Sequence, residues 1–169
     1  MNYLGIDKAS ISNGPGVRVV LWVSGCKVRC KGCQNPESWD FFAGKLFDED
    51  AKQELFNALD KTYIHGITIS GGNPLDQSAE IFYLINEIKR KFPTKDIWLY
   101  SGYTFEELRH SREKMKAVIS VDVLVDGPYI EEQRDITLAF RGSKNQRLID
   151  VQKTLEQGKI IKVNEGKIL

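Results

Sequence analysis

Three cysteines fall within eight residues, Cys26, Cys30 and Cys33, in the spacing C-x₃-C-x₂-C. Thiolates are soft ligands that suit iron–sulfur clusters, Zn²⁺ and Cu(I). Spacings this short let one loop offer each sulfur to a different corner of a compact cluster. A [4Fe–4S] cluster usually takes four cysteines. This chain has three in all, so one iron would lack a protein thiolate. An open metal position is a place for substrate, as at catalytic zinc. Lys27, Arg29 and Lys31 lie among the cysteines, and their charge would partly offset that of a thiolate-ligated cluster and shift its potential. The plainer alternatives are a structural zinc site, three unconnected core thiols, and a disulfide beside a free thiol. Zinc needs a fourth ligand, and the two histidines, His65 and His110, lack finger-like spacing to the cysteines. An odd, clustered set without a secretory leader argues against a disulfide framework.

The elements that must position these thiols are legible in the flanking pattern. Gly16 to Ser24 is β-branched and aromatic and predicts a buried strand ending at Gly25, just before the first cysteine. Asp48 opens a helical pattern carrying Leu55 and Leu59. Gly66 to Ser70 predicts a short strand stopped by Gly71-Gly72-Asn73-Pro74, and Ser78 to Lys91 an amphipathic helix with a basic C-terminal end. Ile97 to Tyr100 predicts another strand, broken by Gly102, and Thr104 with Glu107 a helix-opening capping box. Val118 to Val125 is expected to hold one or two more strands, and the part from about Ile136 short strands and turns.

Strand alternating with helix predicts βα units on a mostly parallel sheet. A full (βα)₈ barrel needs roughly 200–250 residues, more than the 169 here. The expected fold is therefore α/β, a partial, open TIM-like (βα) barrel in one domain spanning 1–169. Chemistry in such sheets sits at the C-terminal strand ends. The cysteines, Gly71-Gly72-Asn73-Pro74 and Ser101-Gly102-Tyr103 should thus converge on one mouth.

Composition narrows the partners. A formal net charge of +1 gives no basic excess for nucleic acid. No apolar run approaches the roughly 18 residues of a membrane span. The N-terminal residues lack the basic and apolar regions of a secretory signal, so the expectation is a cytoplasmic protein with no membrane partner.

At this point the residues resemble a family. C-x₃-C-x₂-C after the first predicted strand is the signature of the radical S-adenosylmethionine enzymes, and further stretches resemble the anaerobic ribonucleoside-triphosphate reductase activating proteins. These are Ser12-Asn13-Gly14-Pro15-Gly16, Ser24-Gly25-Cys26, Cys33-Gln34-Asn35-Pro36, Ser70 to Leu75, Tyr100 to Tyr103 with Glu106-Glu107-Leu108, Asp122 to Tyr129, Arg141-Gly142-Ser143 and Asn145-Gln146-Arg147. They run in order from about residue 12 to 147. The resemblance implies an oxidoreductase, a glycyl radical activating enzyme with a [4Fe–4S] cluster on Cys26, Cys30 and Cys33. Its open iron would bind the amino and carboxylate groups of S-adenosylmethionine, and one-electron cleavage would give a 5′-deoxyadenosyl radical. That radical would take a hydrogen atom from a glycine of the anaerobic reductase, with flavodoxin or ferredoxin as electron donor. No general acid–base residue is implied, because the hard chemistry belongs to the cofactors.

The resemblance also implies contacts for S-adenosylmethionine. Ser70, Gly71, Gly72 and Asn73 would meet the methionine amino group, with successive N–H groups free to bind charge. The family places an acidic residue where this chain has the uncharged Asn73. Ser101 would meet the ribose or the carboxylate, Asp126 would point into the mouth, and the backbone of Gly32 would face the adenine. Each of these segments also has a plain reading as a turn, and Arg134, Arg141 and Arg147 read as solvated surface or as contacts to the partner or the nucleoside. The competing functions are a small radical S-adenosylmethionine enzyme for a small molecule, as in deazapurine biosynthesis, an activase of another glycyl radical enzyme, and a zinc-bound adaptor. The absence of further cysteines favours the short reductase-activating type.

Overall fold

A computed structural model describes residues 1–167. Seven strands form one sheet in the order β3-β1-β2-β4-β5-β6-β7. They are β1 (Asn2–Ser10), β2 (Arg18–Val23), β3 (Lys45–Leu46), β4 (Gly66–Gly71), β5 (Asp96–Tyr100), β6 (Val123–Asp126) and β7 (Arg147–Asp150). The pairs β2–β4, β4–β5 and β5–β6 are parallel. The outer pairs β1–β2, β1–β3 and β6–β7 are antiparallel. The expected α/β sheet is present, with a four-strand parallel centre and antiparallel edges. Its end strands do not meet, so it is open.

Alternation along the strands divides the side chains between two faces. Val19, Leu21, Val23, Ile67, Ile69, Ile97 and Leu99 face one way and are buried with α1 (Glu49–Leu59) and α2 (Ser78–Lys91). Leu55 and Leu59 of α1, and Ile81, Ile85 and Ile88 of α2, supply the helical side of this core. Fully burying such side chains stabilises the fold by about 1.5–3 kcal/mol each. The opposite face carries Trp98, Val123, Val125 and Leu148, against which Tyr100, Phe140 and Val163 pack. This second face is open enough to hold a site.

Local chemistry sets the ends. Asp48 caps α1 by accepting the Ala51 N–H at 2.9 Å. Thr104 and Glu107 form the expected capping box on α3 (Phe105–Leu108). The stretch expected as strand from Val118 instead begins as the end of α4 (Arg112–Val118), and only β6 follows. The C-terminal part holds a further helix, α5 (Val151–Gln157), capped by Asp150 and stopped at left-handed Gly158. No helix among the described residues is long and apolar enough to cross a membrane.

Candidate functional site

The C-terminal ends of β2 and β4 are drawn together by backbone hydrogen bonds. Gly72 N–H donates to Val23 O and Asn73 N–H to Gly25 O, both at 2.8 Å. Glycine is required here. A Cβ on Gly71 or Gly72 would collide with the backbone carbonyl of Val23 or Gly25. One expectation is thereby corrected: the N–H groups of Gly72 and Asn73 close the chain onto its neighbour and are not free to bind a ligand's charge.

The cysteine loop is fixed at its root. Gly25 N–H donates to Ser38 O at 2.7 Å and Cys26 N–H to Trp39 O at 3.1 Å, so the returning segment is clamped to the strand end. Lys27 N–H donates to Asp76 Oδ2 at 2.8 Å. All three cysteines are free thiols, Cys26 buried and the others half-buried. Burial pushes the Cys26 and Cys30 thiols up, while backbone hydrogen bonds from Arg29 and Val28 to Cys26, and from Tyr129 to Cys30, pull the other way. Asn35 N–H donates to Cys33 Sγ at 3.4 Å. N–H donors on sulfur are the surroundings a thiolate needs.

The three cysteines line one cavity of about 560 Å³, together with Ser70 to Asn73 and Ser101 to Gly102. The three segments expected to converge do converge. Asn73 and Ser101 are both buried, and the Ser101 hydroxyl donates to Asn73 Oδ1 at 3.3 Å. Asn73 Nδ2 donates to Asp76 Oδ2 at 3.1 Å, which leaves the amide oxygen turned the other way.

Two expected contacts lie elsewhere. Asp126 is fully buried, but its carboxylate accepts Phe105 N–H at 2.7 Å and Arg147 Nε at 3.0 Å. It ties β6 to β7 and to the start of α3, and it does not line the cavity. Gly32 also stands outside the lining. A Cβ there would sit 2.7 Å from the Glu131 carboxyl carbon, so Gly32 makes room for the acidic turn of Glu131 and Glu132. That turn pairs with Lys31 at 3.8 and 3.2 Å. Arg147 is likewise structural, bridging Asp126 and Glu106, whereas Arg134 and Arg141 line the cavity.

Other lining residues carried no signal beyond their place in the matched stretches or no signal at all. Asn35, Tyr100 and Tyr129 line the cavity, as do Ser12 and Asn13 from the loop before β2. Asp76 does not line it but holds its wall, and nothing in its local sequence marks that role.

The residues fit an iron–sulfur cluster by the chemistry of the donor set: three free thiols on one cavity, with an N–H donor on Cys33 Sγ. His65 accepts Val17 N–H at Nδ1, and neither histidine lines the cavity.

Comparison with known proteins agrees. Residues 12–149 match the family described as a 4Fe-4S single cluster domain. An anaerobic ribonucleoside-triphosphate reductase-activating protein of Haemophilus influenzae is 44% identical over 150 residues, covering 86% of this chain and 96% of its own length. The protein of that name from Enterobacteria phage T4 is 43% identical over 150 residues, with 88% and 93% covered. The one from Escherichia coli K12 is 39% identical over 150 residues, with 86% and 96% covered. With nearly the whole of those relatives matched and the cysteines gathered on one cavity, the chain belongs to the anaerobic ribonucleoside-triphosphate reductase-activating protein family, with a 4Fe-4S single cluster domain.

Proposed function

We propose that this chain activates an anaerobic ribonucleoside-triphosphate reductase by installing a glycyl radical on it, as a single radical S-adenosylmethionine domain of the partial-barrel type. Bound in the cavity, a [4Fe–4S] cluster and S-adenosylmethionine together supply one-electron cleavage of the S–C5′ bond, giving methionine and a 5′-deoxyadenosyl radical that takes a hydrogen atom from a glycine Cα of the reductase. Cys26, Cys30 and Cys33 hold the cluster, and the backbone donors around them stabilise thiolate charge. Ser70 to Asn73 and Ser101 form the wall that orients the methionine end. With the Gly72 and Asn73 N–H groups occupied, this wall suits a cationic amino group through oxygen acceptors, Asn73 Oδ1 among them. The segment carrying Ile136 to Phe140 borders the cavity, with Phe140 packed edge-on to Trp98 on the sheet's second face. The electron comes from a small carrier such as flavodoxin or ferredoxin.

The observation that carries the reading is the meeting of three free thiols and the loops after β4 and β5 in one cavity. The test is electron paramagnetic resonance on anaerobically reconstituted, reduced protein mixed with S-adenosylmethionine and the reductase. A glycyl doublet on the reductase with 5′-deoxyadenosine formed is the expected result. A cluster signal that responds to S-adenosylmethionine without a partner radical would overturn the partner. A protein that binds no iron would overturn the whole reading.

A further inference from the structure

The cysteine loop has two faces. Along Cys26 to Cys33, the residues Cys26, Val28, Cys30 and Cys33 line the cavity, while Lys27, Arg29 and Lys31 do not line it and are exposed. The backbone follows the same division. Arg29 holds a left-handed φ of 50°, and the N–H groups of Val28 and Arg29 turn inward onto the Cys26 sulfur. Thiols stand on the inside and cations on the outside of one strip of chain. That strip carries three cations and no acid, in a chain whose formal net charge is only +1. Lys31 is shared with Glu132 and Glu131 at 3.2 and 3.8 Å. No acid among the described residues pairs with the side chain of Lys27 or Arg29. Asp76 accepts the Lys27 N–H, but it is fully enclosed and pairs with Lys114 at 3.4 Å, so the quarter-exposed Lys114 adds a further cation at the edge of the loop.

A cluster in the cavity needs one electron from outside the chain. The cavity is not free to admit its donor, because on the reading proposed above S-adenosylmethionine and the glycine of the reductase occupy it. The outside of the loop approaches the same sulfur atoms across a single thickness of chain. We propose that this outer face, with Lys27 and Arg29 at its centre and Lys114 at its edge, is the docking surface for an acidic one-electron carrier protein. The inference rests on the cluster assignment proposed above. Charge complementarity selects the partner, since exposed like charges gathered on one loop favour a negative surface against them. The carrier loses one electron and the cluster gains it, with no proton moved and no bond made or broken. Redox encounters of this kind use small faces, under about 1,200 Å² in all, and are steered by charge, so a patch confined to one loop and the edge of α4 suffices.

The test is the dissociation constant of an acidic flavodoxin for the reconstituted protein, measured by calorimetry at low salt with iron per chain alongside. Both partners are oxidised, so the potential of the cluster plays no part. Wild type is compared with the double variant Lys27→Gln and Arg29→Gln, and with Lys89→Gln and Arg90→Gln, which remove the same charge at the end of α2 that leads into β5. The expected result is about a tenfold larger constant for the loop variant and no change for the α2 variant. The wild-type constant should also rise as salt is added, and the rate at which reduced flavodoxin fills the cluster should fall in the loop variant by a similar factor. Should the double variant load less iron, Lys27→Glu, which leaves Arg29 and the backbone hydrogen bonds of the loop in place, is expected to weaken binding at least as much. An affinity untouched by salt and by the loop variant overturns the inference and leaves the cluster assignment standing. Equal weakening in the α2 variant overturns it too, because net charge alone is then at work. So does a loop variant that binds flavodoxin normally and the reductase weakly, because the patch then belongs to the reductase. Absence of iron from the wild-type protein overturns both readings together.

Discussion

Replacing Asp76 with alanine removes one acceptor from four donors that arrive from four segments. Its side chain is fully enclosed, while its partner Lys114 is a quarter exposed. Oδ2 accepts Lys27 N–H at 2.8 Å and Asn73 Nδ2 at 3.1 Å. Oδ1 accepts the Tyr103 hydroxyl at 2.7 Å and Lys114 Nζ at 3.4 Å. Burial first, and Asp76 next, push the Tyr103 phenol well above its usual range, so it remains a neutral donor. A hydrogen bond to a charged group contributes about 1.5–3 kcal/mol. Bonds sharing one acceptor do not add, and the partly exposed lysine is worth less. Breaking a buried charged pair costs about 3–5 kcal/mol, and that range is the expected loss for Asp76→Ala. With a urea slope of about 2 kcal/mol/M, the unfolding midpoint of the metal-free protein should fall by about 1.5–2.5 M. Asp76→Asn keeps the shape and one acceptor oxygen and should lose about half as much. Tryptophan fluorescence with circular dichroism reads both, with no cluster present. A fall under about 0.25 M for Asp76→Ala, about 0.5 kcal/mol at that slope, is what an ordinary surface substitution gives, and it would refute the idea that this carboxylate binds the loops together.

Cys30→Ala should abolish iron binding while moving the urea midpoint by less than about 0.5 M, since no disulfide is lost; full iron in the variant would remove Cys30 from the ligand set. Gly72→Ala should lower both stability and iron content, because its methyl group would strike the Gly25 carbonyl beside Cys26; a variant that loads iron normally would show that the loops can part without harm. Arg147 holds the Glu106 carboxyl below the usual range, mainly by its hydrogen bond. A depressed carboxyl adds stability above its unfolded value, about 4.3, and loses it as pH falls through the lower folded value. Glu106 is more than half exposed, so the effect should be small. The urea midpoints of wild type and Glu106→Gln should differ at pH 7 and converge below about pH 4; a constant gap across that range would rule out the linkage. Arg147→Met should cost far more, about 3 kcal/mol in the same urea assay, because it leaves Asp126 buried without its cation.

The strands and helices that flank the site were legible where one physical signal dominated. The run from Val19 to Val23 is apolar on both faces because β2 is covered on both, and β4 and β5 read the same way. The bounds of α2 match its amphipathic pattern from Ser78 to Lys91, and those of α1 follow from its cap. By contrast β1 is largely half-exposed and paired through bulged register, so no alternation marks it. The short α4 and α5 bury two residues each, too few to set a helical period. The cysteines announce themselves by spacing alone. Asp126 and Asp76 do not, because a carboxylate's role depends on what other segments bring to it. Arg147 reaches Asp126 from the next strand, and Lys27, Tyr103 and Lys114 reach Asp76 from across the fold, joining its near neighbour Asn73.

That difference bears on how the site is built. In this chain Asn73 stands where the resemblance leads one to expect an acid, and a fully enclosed carboxylate lies three residues further on, hydrogen-bonded to it. The asparagine amide is held with its nitrogen toward Asp76 and its oxygen toward the Ser101 hydroxyl and the cavity wall. An amide held this way offers an acceptor and keeps its donor away from a cationic ligand, which an unrestrained amide would not. Asp76 does not line the cavity, yet through Lys27 it also fixes the residue next to Cys26. One negative charge thereby orients the Asn73 amide and anchors the cysteine loop. Placing it behind the wall, with Lys114 beside it, keeps an uncompensated charge out of the cavity in which we propose that the cluster sits.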